Sequence, residues 1–125
     1  MLKSIDSSLH AGLRVEAQKI PRRRVHHCLH ASPDDPVQRL VVDMEPGTYI
    51  RPHRHRMSPK WELFFCLAGS GFEEVGTLLV EVKPGPYAVL PEEDFAPWAP
   101  AEGEAAAAEF EAALHELPVG RAVTL

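Results

Sequence analysis

The chain has 125 residues, of which 45% are hydrophobic and 25% charged, with a formal net charge of −5; this suits one soluble domain with a core and excludes a broadly basic nucleic-acid-binding surface. No stretch approaches the ~20 consecutive apolar residues of a membrane-spanning helix. Lys3, Asp6 and Arg14 interrupt the apolar residues of the first 20 positions, so no signal-peptide core is present and a cytoplasmic protein without membrane association is expected.

Charge is unevenly spread: residues 1–60 hold 11 Lys and Arg against 6 Asp and Glu, whereas 61–125 hold 2 against 12. The run Arg22-Arg23-Arg24 is too short, and too isolated from any nucleic-acid motif, to change the reading. Cys28 and Cys66 are far apart and form no CxxC pair, so two ordinary buried thiols are expected rather than a disulfide. The 12 prolines and 8 glycines argue for many turns, and so for strands over a helical bundle.

In chain order, Leu2, Ile5, Leu9 and Leu13 have helical spacing, and Pro21 ends that helix. Residues 24–30 suit a strand, followed by a turn at Ser32-Pro33-Asp34-Asp35-Pro36. Val37 to Met44 reads as a strand with Leu40, Val42 and Met44 on one face and Arg39 and Asp43 on the other. After Glu45-Pro46-Gly47, Thr48 to His55 reads as a further strand broken by Pro52, and Met57-Ser58-Pro59 as a turn. Lys60 to Ala68 alternates Trp61, Leu63, Phe65 and Leu67 with Glu62, Phe64, Cys66 and Ala68; both faces are largely apolar, which predicts that both are covered. Thr77 to Lys83 is the last strand, 87–103 an irregular arm, and Glu104 to Leu117 a helix with Phe110, Ala113, Leu114 and Leu117 on one stripe. This divides one domain, 1–125, into an N-terminal helix within 1–22, a β core over 24–87, and an arm with a C-terminal helix over 88–125.

The chemistry lies in Arg51-Pro52-His53-Arg54-His55-Arg56. In extended chain His53 and His55 share a face, and a hairpin return brings Glu62 back beside them. Two imidazoles and a carboxylate suit Zn²⁺, Fe²⁺, Mn²⁺, Ni²⁺ or Cu²⁺, with geometry rather than ligand type choosing among them. The competing reading is a solvated basic strand edge. Against it stands the frame: Gly47, five residues, His53-x-His55, six residues, Glu62, six residues, Gly69. Tyr49, Arg51 and Trp61 are candidate ligand-contacting residues at the mouth of the site. His26, Cys28 and His30 alternate along a strand and form an alternative ligand set, with Zn²⁺ as its natural ion.

That frame resembles the first cupin motif, with a longer gap before the glutamate. Residues 24–30, 35–40, 45–49, 51–55, 60–64, 81–87 and 94–102 resemble WbuC-type cupin-fold metalloproteins, a resemblance running over roughly 1–115. It implies a mainly β, cupin-type barrel (a double-stranded β-helix or jelly roll), a bound divalent metal, and a link to surface-polysaccharide metabolism with a sugar or sugar nucleotide as ligand. It settles no reaction, and no Ser-His-Asp set, P-loop or GxGxxG offers one; enzyme and binding module both fit. In the resemblance His27 and His30 fall at matching positions, while His26 and Cys28 replace polar residues. The second cupin motif, with the histidine that completes the metal site, is missing between Gly71 and the last strand, and His115 matches nothing in it. An incomplete barrel would leave strand edges unpaired, so a homodimer is expected. The alternative function is a non-catalytic interaction module with a degraded metal site, folded by strand exchange in an oligomer.

Overall fold

The structure, a computed structural model, describes residues 3–56, 61–69, 76–118, 120 and 121; Leu2 and the turn expected at Met57-Ser58-Pro59 lie outside these. It is mainly β: helix α1 (Ser7–Lys19), strands β1 (Arg24–Cys28), β2 (Val37–Met44), β3 (Leu63–Ala68) and β4 (Thr77–Pro84), a 3-10 turn (Glu92–Asp94) and helix α2 (Ala105–His115). The four strands form one antiparallel sheet in the order β1-β2-β4-β3, which does not close on itself among the described residues.

Helix α1 starts later than the apolar spacing alone suggests, because Asp6 caps it. The Asp6 carboxylate accepts hydrogen bonds from the backbone N–H groups of Ser8 (3.1 Å) and Leu9 (2.9 Å), satisfying donors that have no partner inside the helix. The Leu9 N–H and then the Ser8 hydroxyl hold the Asp6 carboxyl below its ordinary pKa. Leu9, Leu13 and Ala17 form the inward stripe. Leu13 meets Val41 and Leu78, with Val25, Leu29, Ala68 and Val80 around them, and α1 lies over β1 and β2.

The pairing sorts the sheet into two faces. Val25, Val41, Asp43, Leu78 and Val80 share the helix side, since Val25 pairs with Asp43, Asp43 with Leu78 and Val41 with Val80. Asp43 lies opposite Leu40, Val42 and Met44, as the alternation predicts, and its face is covered, so its exposure is 0%. The reason is a second, polar stripe on α1. His10, Arg14 and Gln18 are four residues apart, about 6 Å along the helix per step, close to the two-residue step along a strand. His10 Nε2 accordingly reaches Asp43 Oδ2 at 3.3 Å, while Arg14 Nε (3.1 Å) and Gln18 Nε2 (2.9 Å) reach Glu45. Burial, then the neighbouring Glu45, raise the Asp43 carboxyl, and His10 and Arg14 oppose this.

Two strand expectations are corrected. Residues 48–56 do not join the sheet: Pro52 donates no N–H to a ladder, and the segment instead meets 94–96 through a His53–Phe95 bridge, Arg54 N–H to Asp94 O (2.9 Å) and Ala96 N–H to Pro52 O (2.8 Å). β3 begins at Leu63 and is an edge strand, so the apolar residues expected to be covered on both faces stand open, Phe64 at 51% and Phe65 at 54% exposed.

The arm after β4 carries a satellite core of Tyr49, Ala99, Ala107 and Phe110. Tyr49 and Phe110 meet edge to face at 5.9 Å, and the Tyr49 hydroxyl donates to Pro100 O at 2.9 Å. Buried Arg24 ties this core to the sheet, donating to Tyr49 O (2.8 Å) and pairing with Glu102 (2.6 Å). On α2 the buried residues are Ala107 and Phe110, whereas Leu114, placed on the expected stripe, is 37% exposed.

Candidate functional site

The face of the sheet away from α1 forms the floor of a cavity of about 640 Å³. Its floor comes from alternate residues of three strands: His26 on β1, Gln38, Val42 and Met44 on β2, and Leu79, Glu81 and Lys83 on β4, joined by Phe64 from β3. Its wall is the 50–55 segment, with Ile50, His53 and His55, and the Pro84–Leu90 stretch with Phe95. Positive φ at Gly47 (84°) turns the chain from β2 into that wall, and positive φ at Gly69 (85°) ends β3 where a side chain's Cβ would come within 2.6 Å of Gly76 O. The two glycines framing the histidine motif therefore have backbone duties.

Of the first ligand set, His55 and Glu62 meet directly: His55 Nε2 lies 3.2 Å from Glu62 Oε1, with both side chains about a fifth exposed. His55 Nε2 is buried and has no hydrogen-bond partner. The His53 ring lies edge-on to His55, centroids 5.3 Å apart, and against Phe95 at 5.8 Å. His53 Nδ1 lies 2.9 Å from the Arg51 carbonyl; a donated Nδ1–H there makes Nε2 the basic nitrogen, an orientation typical of metal-binding imidazoles. Even so, among the described residues no three of the His, Cys, Asp and Glu side chains converge into a group that would hold a metal ion.

The other candidates disperse. Tyr49 is buried in the satellite core and lines a different cavity with Arg22, Glu102 and Ala107. Arg51 fastens the arm, donating to Ala99 O (3.1 Å) and Ala96 O (3.2 Å), pairing with Glu92 (2.7 Å) and stacking over Phe95 at 5.2 Å. Trp61 is 55% exposed and does not line the cavity. His26 does line it, whereas His30 is buried in the β1–β2 connection, accepting from Arg39 N–H at 3.1 Å. Cys28, like Cys66, is an exposed free thiol rather than the buried one expected, because β1 and β3 are the edge strands of the sheet. His26 is exposed, yet partial loss of water around its ring, then the charges of Arg22, Arg24 and Lys83, lower its pKa to about 4 against the pull of Glu102. It is neutral at physiological pH.

Two residues that motif reasoning missed sit at the centre. Lys83 Nζ lies 2.6 Å from Glu81 Oε1 and 3.5 Å from Glu62 Oε1, giving a chain of contacts Glu81–Lys83–Glu62–His55. Burial lowers the Lys83 ammonium's pKa, but the hydrogen bonds and charges of Glu81 and Glu62 outweigh it and hold it above the usual lysine value. The signal was available in Leu79-Val80-Glu81-Val82-Lys83: two charges at period 2 inside an apolar strand share one face.

Among the described residues no helix is long and apolar enough to cross a membrane. No curated protein and no solved structure matches the chain. A family model does match residues 5–83, a span that takes in α1, β1 to β3, β4 but for its last residue, and the Glu81–Lys83–Glu62–His55 chain, and by that match the protein belongs to the family described as Domain of unknown function (DUF6016).

Proposed function

We propose that the open face of the sheet binds a small polar molecule, a sugar or sugar nucleotide, beside one divalent metal ion held by His53, His55 and Glu62, in a shortened cupin-type barrel of the WbuC kind. The observation that carries this reading is the buried, unpartnered Nε2 of His55, 3.2 Å from the Glu62 carboxylate inside a cavity of ligand size. The donor set fits a borderline divalent ion in kind, and the His55–Glu62 pair is the part already assembled. A bound ion would supply Lewis acidity, polarising a ligand oxygen or lowering the pKa of water. The chain's own residues do the rest. Phe64, Val42 and Leu79 give an apolar floor on which a sugar ring can stack or pack. Lys83, kept charged by two carboxylates, and Arg22 at the rim face anionic groups of the ligand, and His26 offers a neutral ring nitrogen.

Elemental analysis and zinc titration of the purified protein test the metal. One equivalent per chain is expected, with affinity reduced at least about a hundredfold in His55→Ala and Glu62→Ala, beyond the 10–100-fold typical of outer-shell changes. Unchanged binding in those variants and in His53→Ala would overturn the assignment. A second reading, an interaction or binding pocket without metal, is favoured by the convergence of two ligands rather than three among the described residues. Sugar-nucleotide binding that survives chelation with EDTA would select it.

A further inference from the structure

We infer that β3 is a self-association edge, and that its occupant is β3 of a second copy of this chain, paired antiparallel across a two-fold axis. The inference is independent of what the cavity binds. It begins with the two ends of the sheet. β1 at one end carries the polar His26 and His27, and its buried Arg24 ties it to Tyr49 O and to Glu102 of the arm. β3 at the other end reads Leu-Phe-Phe-Cys-Leu-Ala, without a charged side chain and without proline. Glu62, just before it, is turned to His55 and Lys83.

Exposure points the same way. Trp61 (55%), Leu63 (45%), Phe65 (54%) and Leu67 (51%) stand open; Phe64 belongs to the cavity floor, and α1 covers β1 and β2 instead. Fully buried aromatic side chains remove roughly 150–250 Å² each from water, so four half-open large residues amount to on the order of 400 Å² of apolar surface. That is within the range of the largest patch on a monomer, and a symmetric pair would bury up to about 800 Å², the size of a weak, concentration-dependent association. A strand without charge meets no like charge in its own image, whereas a heterologous strand would have to be matched separately.

Symmetry also limits the register. A two-fold axis normal to the sheet maps each face onto itself, and paired residues share a face, so the axis passes at a residue and not between two. Centred on Phe65 or Cys66, the midpoint of β3, it sets Cys66 opposite or diagonal to Cys66 of the other copy, within about 5–8 Å.

Sedimentation at high micromolar concentration should find a dimer. Phe65→Glu should weaken it at least about thirtyfold, as expected for a central interface residue, while Val15→Glu, at an exposed site on α1, should not. A monomeric wild type, or a Phe65→Glu protein that dimerises as wild type does, overturns the proposal. Should Phe65→Glu fail to fold, a short bismaleimide on Cys28→Ser decides: a covalent dimer absent from the Cys28→Ser/Cys66→Ser double variant supports the edge, and failure to cross-link overturns it.

Discussion

The two faces of the sheet carry similar chemistry and treat it differently. Under α1, Asp43 faces His10 and Glu45 faces both Arg14 and Gln18, at 2.9–3.3 Å, and Leu13 seals the rest against Val41 and Leu78. Asp43 Oδ1 and Oδ2 and Glu45 Oε1 are held there by charge, without a hydrogen bond. Across the sheet, Glu62, Glu81, Lys83 and His55 lie against one another, and among the described residues no helix lies over them. Charges on the first face are consumed in fastening a helix. On the second they line a cavity, where Glu81 and Glu62 hold Lys83 and His55 Nε2 approaches Glu62 without a hydrogen-bond partner, so a ligand could engage the same groups. A buried polar cluster thus signals a binding site less by its composition than by what covers it.

Substitutions can test that contrast. The largest effect is expected on the covered face: Leu13→Ala should cost about 2–4 kcal/mol in urea unfolding, from lost transfer energy and the cavity left against Val41, with cavity-face binding unchanged in what remains folded. A shift below about 1 kcal/mol would mean that α1 contributes little to the core. Next, Lys83→Met leaves Glu81, which is 6% exposed, without its closest cation and should cost about 1–3 kcal/mol. Adding Glu81→Gln should recover most of the loss, and a double-mutant cycle with no coupling would show that the pair is not a unit.

The smallest effect concerns pH. The folded His26 pKa is about 4 against 6.5 for a free imidazole, so between these values the unfolded chain binds a proton that the folded chain refuses. Stability should therefore fall as pH drops from about 6.5 towards 4, with no contribution from this group above that window. His26→Gln should flatten this part of the stability profile; an unchanged slope would assign the loss to other groups.

Much of the fold was legible in order and type. Val37–Met44 matches its expected bounds, and β1, β4 and both helices are present with ends shifted by a few residues. Those signals are local: apolar period, Asp6 as cap, Pro21 as stop, glycine at positive φ. His55 does lie beside Glu62, but not by the expected hairpin: the segment carrying it pairs with 94–96, and His55 reaches Glu62 from the wall of the cavity. The Thr48–His55 strand did not survive, since its backbone partners were the distant residues 94–96, which no local pattern announces. Arg51 and Tyr49 looked available for a ligand and are occupied by the arm for the same reason.

What the sequence determined by itself is both helices, four of the five expected strands and, within regular stretches of them, the face each side chain occupies, because these follow from the 3.6- and 2-residue periods of the backbone. The bulge between Cys66 and Ala68 breaks that period and puts Ala68 under α1. What only the tertiary structure decided is which face is covered. Asp43 lies inside because α1 presents His10 at the matching step, and Phe65 lies outside because β3 is last in the order β1-β2-β4-β3. Glu81 and Lys83 join the histidine site because β4 runs beside β3 and sets Glu81 opposite Phe64. Coverage depends on contacts between segments far apart in the chain, and the period of one segment carries no information about its distant partner.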